Sequence, residues 1–256
     1  MDTMLFHKKL AEELDKAKIM VDICKKGTNY VYENTGNCGI HTIDIGIDCE
    51  PYRVGVYGKY AKGSEQFILQ ACICNMITIW YDYLSDLVRE YLVEEKSNSL
   101  DLMAKISLGD ILNEPKTLWI NNYLKDYDFF DYKEKLRIAE KITDHKIETD
   151  YRNKLFQSIE VRNSIQHHEC KVVKSMIRKL GTSTICLYDI EGNLVNYVED
   201  DLIKLSIPEL MSIRNCILNC MYTLFEGNGR DYNMHYLSDI YPSKYPNSMT
   251  IAMEDR

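Results

Sequence analysis

Ser64 to Glu95, SEQFILQACICNMITIWYDYLSDLVREYLVEE, decides the architecture. Its apolar residues, Phe67, Ile68, Ala71, Ile73, Ile77, Trp80, Leu84, Leu87, Val88 and Tyr91, recur mostly at three- and four-residue steps. That is the period of one face of an α-helix. Ser64 suits the N-cap, where a hydroxyl oxygen accepts from a free backbone N–H. The stretch predicts a helix to about Glu95, ended by the polar run Lys96 to Leu100. At about 1.5 Å per residue it is roughly 45 Å long, which makes it the spine of a helical bundle. Its most apolar part, Phe67 to Trp80, is too short to span a bilayer and carries Gln70 and Asn75, so no membrane association is expected.

Towards the N-terminus, residues 3–26 read as an amphipathic helix, with Leu5, Phe6, Leu10, Leu14 and Ala17 apolar among Lys and Glu. Residues 28–60 change character. Ile43, Ile45 and Ile47 alternate in HTIDIGIDC (41–49), and Val54 and Val56 alternate in YRVGVYGKY (52–60), which predicts a small hairpin or meander. Beyond the spine, residues 101–142 are mixed. They predict a short helix at 101–107, a loop around Gly109 and Pro115, and a helix from Asp131 to Ile142. Tyr123, Tyr127, Phe129, Phe130 and Tyr132 are expected to pack on the spine. Residues 149–167 read as a further helix with Leu155, Ile159 and Val161 apolar. Residues 185–199 read as a hairpin around Glu191-Gly192-Asn193. Ser206-Ile207-Pro208-Glu209 then opens a last helix, with Ser as cap, Pro in the first turn and Glu three residues on. That helix should reach Phe225 and stop at Gly227, leaving a polar tail. The expected fold is mainly α: a helical bundle with a small N-terminal β element and a β-hairpin before the last helix. Its expected divisions are 1–62, 63–226 with an insertion near 100–142, and a tail at 227–256.

With 256 residues the chain can bury one large core or two small ones. A net charge of −8 disfavours a generally basic, sequence-blind nucleic-acid binder but permits a local basic patch. The first residues lack the apolar block and cleavage site of a signal peptide. The nine cysteines are an odd set without a Cys-x2-Cys pair. They read as reduced thiols in a cytoplasmic protein, and neither a metal site nor a cofactor is expected. Glycine-rich phosphate loops, HExxH and GxSxG are absent. Asp44, Asp48 and Glu50 fall on one strand face, which reads as solvated. Glu199, Asp200 and Asp201 suit the positive end of the last helix. Cys170 beside His167 or His168 lacks an indicated Asn or Asp partner for nucleophilic catalysis.

One segment stands apart: FQSIEVRNSIQHHE (156–169) closes a helix with Arg162, Asn163, His167 and His168. Cationic side chains at a helix C-terminus suit the dipole, so a structural reading exists, with Arg162 and His167 paired to carboxylates such as Glu160 or Glu169. The words themselves point further. Val161-Arg162-Asn163-Ser164-Ile165-Gln166-His167 resembles the R-N-x-x-x-H signature of the HEPN superfamily. These are small helical domains, many of them ribonucleases of toxin–antitoxin, abortive-infection and CRISPR-linked systems. Four residues separate Arg162 from His167, within the family's four to six, and His168 satisfies the same range. A preceding helix with Trp80-Tyr81-Asp82-Tyr83-Leu84, and a basic, β-prone stretch plus a final helix afterwards, also resemble family members. The long 100–140 insertion and His168-Glu169-Cys170 after the motif depart from the family pattern.

The resemblance implies a metal-independent endoribonuclease, a toxin or antiphage effector. Arg162, Asn163 and His167 would be its catalytic residues, with His168 as the alternative histidine. Histidine moves protons near neutral pH. Arginine is a permanent bidentate cation for a phosphorane. Asn163 can orient the histidine or the phosphate as a neutral donor. The implied products are a 2′,3′-cyclic phosphate and a 5′-hydroxyl. Geometry adds a check. Positions 162 and 167 lie about 140° apart around a regular helix, whereas Asn163 and His167 share a face. Arg162 must therefore reach round, or the helix must loosen near Gln166, or the site must be shared between chains. The resemblance implies the last, a homodimer with two motifs facing across a two-fold axis. Lys171, Lys174, Arg178 and Lys179 follow closely and either rim the site for RNA or form a solvated helix face. Tyr132 and Tyr151 are candidates for base stacking. An antitoxin or other defence-system partner is a further expectation. The alternative is a non-catalytic HEPN-like module that binds RNA or scaffolds a defence complex.

Overall fold

The computed structural model describes residues 3–35, 42–43, 52–93 and 116–226. Its described part is mainly helical. The order is α1 (Thr3–Thr35), β1 (Thr42–Ile43), β2 (Tyr52–Arg53), α2 (Val54–Val93), α3 (Lys116–Asp128), α4 (Tyr132–Thr143), α5 (Thr149–His167), α6 (Lys174–Leu180), β3 (Ile185–Tyr188), β4 (Leu194–Tyr197) and α7 (Ile207–Glu226). Both strand pairs are antiparallel two-stranded hairpins.

Helix α7 lies at the centre. From Pro208 to Leu224 nearly every side chain is buried, because α1, α2, α4 and α5 all pack around it. Polar groups on so enclosed a helix need partners. The Tyr83 hydroxyl of α2 donates to the Met221 carbonyl at 2.9 Å. Buried Arg214 donates to Asn215 Oδ1 at 3.3 Å and lies 3.4 Å from His7 Nε2 on α1. Phe6, Leu10, Leu14, Ala17 and Val21 bring α1 into the same core as α2 and α7. Trp80 and Tyr83, stacked at 5.7 Å, anchor the spine. One helical segment, Ser64–Val93, is long and apolar enough to cross a bilayer, and 56% of its most apolar window is buried inside the bundle.

Short-range signals appear where the sequence puts them. Asp131 caps α4, its carboxylate accepting from the Lys133 and Glu134 N–H groups at 2.8 and 3.1 Å. The 185–199 hairpin forms with Ile185 opposite Tyr197 and Tyr188 opposite Leu194. Ser206 caps α7, accepting from the Glu209 N–H at 3.1 Å.

Other expectations need correction. The strand expected over 52–60 stops at Arg53; from Val54 the backbone is helical, and Ser64 lies inside α2 rather than capping it. Val54, Tyr57 and Ala61 also fall at helical steps, so seven alternating residues do not decide the period. A helix already nucleated extends without a second nucleation cost. Likewise α1 continues past residue 26 to Thr35. Leu5, Phe67 and Ala71 are exposed, not core. The inward stripe of α2 runs instead through Leu69, Cys72, Ile73, Met76, Trp80, Tyr83 and Leu87. Helix α3 was not expected, and Phe129, expected against the spine, is 90% exposed in the turn after it. The basic, β-prone stretch after the motif is largely the short helix α6. The expectations for Ile45 and Ile47, for Asp44, Asp48 and Glu50, for residues 101–107, for Gly109 and Pro115, and for Gly227 and the tail lie outside the described residues.

Candidate functional site

Helix α5 is held by Leu155, Ser158, Ile159, Val161 and Ser164 on its buried side. It ends at His167 through a tight reversal. The His168 and Cys170 N–H groups both donate to the Ser164 carbonyl, at 2.8 and 3.2 Å. The Ser164 hydroxyl donates to the Lys171 carbonyl at 2.7 Å, and the Lys171 N–H donates to His168 O at 2.9 Å. Glu169 and Cys170 take consecutive left-handed conformations, φ 52° and 63°. Each costs a non-glycine residue about 1 kcal/mol or more, so the Ser164 bonds hold a strained turn in place. The chain then makes one bridge to Leu202 at Lys171 and enters α6.

Residues 160, 163, 164 and 167 fall at helical steps on one face of α5. That face and α6 enclose a cleft of about 410 Å³. Asn163, His167 and His168 line it with Glu160, while Ser175 and Lys179 stand opposite. The two imidazoles are exposed and meet edge to face, ring centroids 6.4 Å apart. Among the described residues no carboxylate pairs with either imidazole. Glu160 is buried, only 4% of its side chain exposed, and pairs with Lys179 at 3.4 Å. The structural pairing expected for it with Arg162 or His167 is therefore replaced by one with α6.

Arg162 does not line the cleft. It lies on the α2 side of α5, where its charge favours the ionised forms of Tyr81 and Cys74. Burial dominates at both, raising the Cys74 thiol and pushing the Tyr81 phenol up to about 12. Arg162 Nη1 reaches round to donate to Asn163 Oδ1 at 3.2 Å, and its buried Nε has no hydrogen-bond partner. Arg162 and His167 thus face different ways within one chain, as the helical step requires; Asn163 is bonded to Arg162 and lines the cleft with His167.

Of the basic residues after the motif, Lys171, Lys174, Arg178 and Lys179 are all exposed. Lys179 is also the counter-charge of Glu160, which makes it part of the cleft wall. Tyr132 is corrected: it packs edge-on against Phe156 at 4.9 Å, with its hydroxyl buried beside Glu160, and its ring does not line the cleft. Burial first, and the Glu160 charge second, raise its phenol. Sequence reasoning missed the cleft roles of Ser164, Ser175 and the Glu160–Lys179 pair. The steps from 160 to 164 to 167 were a signal for the first face, but nothing local announced that α6 folds back over it. Among the described residues no group of three or more His, Cys, Asp or Glu side chains is arranged to hold a metal ion. No family model matches the chain, and no curated protein and no solved structure matches it.

Proposed function

We propose that the chain is a HEPN-type, metal-independent endoribonuclease acting in the cytoplasm as a toxin or antiphage defence effector. The observation that carries this reading is the cleft in which Asn163, His167 and His168 converge opposite a lysine. One imidazole takes the proton of a ribose 2′-hydroxyl, whose oxygen attacks the adjacent phosphorus. The bond from phosphorus to the 5′-oxygen breaks, and an imidazolium gives that oxygen its proton. A 2′,3′-cyclic phosphate and a 5′-hydroxyl result, and the proton count closes. Lys179 stands opposite the phosphorane, its charge shared with Glu160. Arg162 acts through Asn163: by donating to Oδ1 it leaves the Asn163 amide nitrogen to donate to phosphate. A homodimer would supply the second histidine from the partner copy; His168 is the candidate within one chain.

The test is cleavage of end-labelled tRNA and single-stranded RNA in EDTA by wild type, His167→Ala and Arg162→Ala. Wild type should cut and leave cyclic-phosphate ends, while His167→Ala should lose about 100-fold or more with its fold intact. Equal cutting by wild type and both variants would overturn the assignment. A second reading, a non-catalytic RNA-binding module, is favoured by one observation: Arg162 packs towards α2 and stays out of the cleft. Retained RNA binding without turnover would select it.

A further inference from the structure

A second, larger cavity of about 990 Å³ runs along α5 below the cleft, walled by α5, α6, the β3–β4 hairpin and α7. Lys179 lines both cavities, so the groove and the cleft adjoin. Three aromatic rings, Tyr151, Phe156 and Tyr188, line the groove. Its cations are Lys133, Lys154 and Lys179. Lys154 is committed to Glu209 at 2.7 Å, and Lys179 to Glu160. Lys133 differs. Its ammonium donates to the Lys179 carbonyl at 2.9 Å and lies 5.8 Å from the Phe156 ring centre, and among the described residues it has no carboxylate partner. The groove therefore sets an uncompensated cation beside an aromatic ring at the end nearer the cleft. Glu148 and Asp150 line the far end, towards the start of α5, and repel a phosphate there.

We propose that this groove holds an unpaired nucleotide of single-stranded RNA flanking the bond to be cut. Its phosphate lies on Lys133 and its base packs on Phe156 and Tyr188. The proposal rests on the ribonuclease reading of the adjoining cleft and adds the substrate class. Every base has a π-face, so stacking of this kind is tolerant of sequence but requires the base to be out of a duplex. The two acids keep the backbone away from the far end, so the strand lies at the Lys133 end of the groove and passes Lys179 into the cleft.

The experiment uses the full chain and a short fluorescein-labelled single-stranded RNA, 2′-O-methylated throughout so that it cannot be cut and carrying one 5-iodouridine. Anisotropy reads binding, and photocrosslinking with peptide mapping reads position. Wild type should bind the single strand about tenfold or more tighter than the matching duplex. Crosslinks should fall on peptides holding Tyr151, Phe156 or Tyr188. Lys133→Gln should weaken binding several-fold and lower the slope against salt by about 0.7, one phosphate's worth. Phe156→Leu, checked for an unchanged melting curve, should weaken it about tenfold. Crosslinks confined to other surfaces, equal affinity for the duplex, or no binding at low salt would each overturn the groove. These readouts need no turnover, so they fail independently of the cleavage assay. Cutting with an unoccupied groove refutes only the groove, and an occupied groove without cutting refutes only the nuclease.

Discussion

Lys154→Met tests how the hairpin, α5 and α7 are joined. Glu209 is fully buried, yet its two oxygens serve two elements: Oε1 accepts from Lys154 at 2.7 Å and Oε2 from the Tyr188 N–H at 2.9 Å. Burial raises its carboxyl above the usual 4.5, with Lys154 and the Tyr188 bond pulling the other way. Removing one partner of a buried ion pair costs about 3–5 kcal/mol, because the remaining charge is uncompensated. Here the Tyr188 bond survives and Glu209 can take up a proton, so the lower end, about 3 kcal/mol, is expected. At about 2–4 °C per kcal/mol that lowers Tm by roughly 6–12 °C. The pH dependence follows from the sign. Without Lys154 the folded state holds a proton on Glu209 more tightly than the unfolded chain does. The variant is therefore closest to wild type below the unfolded carboxyl's range, and the gap widens as pH rises through the folded value. Urea melts of both proteins at pH 4.5 and 7, followed by the helical signal, measure this. Lys154→Met/Glu209→Gln should recover at least half of the loss, since the amide oxygen still accepts from Tyr188. A loss under about 1 kcal/mol at pH 7, or a gap that narrows with rising pH, would refute the reasoning.

Leu10→Ala should cost about 2–5 kcal/mol in a urea melt, since Leu10 is fully buried in the core shared by α1, α2 and α7; a neutral result would detach α1 from that core. Asp131→Ala removes two cap bonds and should cost about 1 kcal/mol, measured the same way. Ser164→Ala leaves the Lys171 carbonyl without its donor. It should lower RNA cleavage more than its small drop in Tm accounts for, and cleavage falling only in step with Tm would show the turn to be structural.

What the sequence reveals here is mostly local. The helix start at Asp131, the Ser206 cap and the 185–199 hairpin depend on residues within a few positions of one another, so residue types suffice to place them. Phe67 and Phe129 fail for the opposite reason. Which face of α2 is buried depends on where α1 and α7 lie, and where α3 ends decides that Tyr127 turns in and Phe129 out. The strand expected over 52–60 fails because alternation and helical spacing coincide over so few residues. In the cleft, the opposed directions of Arg162 and His167 follow from 100° per residue and needed no structure. The pairing of Glu160 with Lys179, nineteen residues on, depends on a chain reversal that no residue type announces.

That reversal also sets a timescale. Two amides, those of His168 and Cys170, share one acceptor, the Ser164 carbonyl. Neither can open to solvent without disturbing the other, so the two should exchange hydrogen at nearly one rate, as a single small unit of local unfolding. His167 and His168 ride on that unit. Each opening therefore moves the backbone that carries the two rings, a local event of the cleft that runs separately from unfolding of the bundle beneath it.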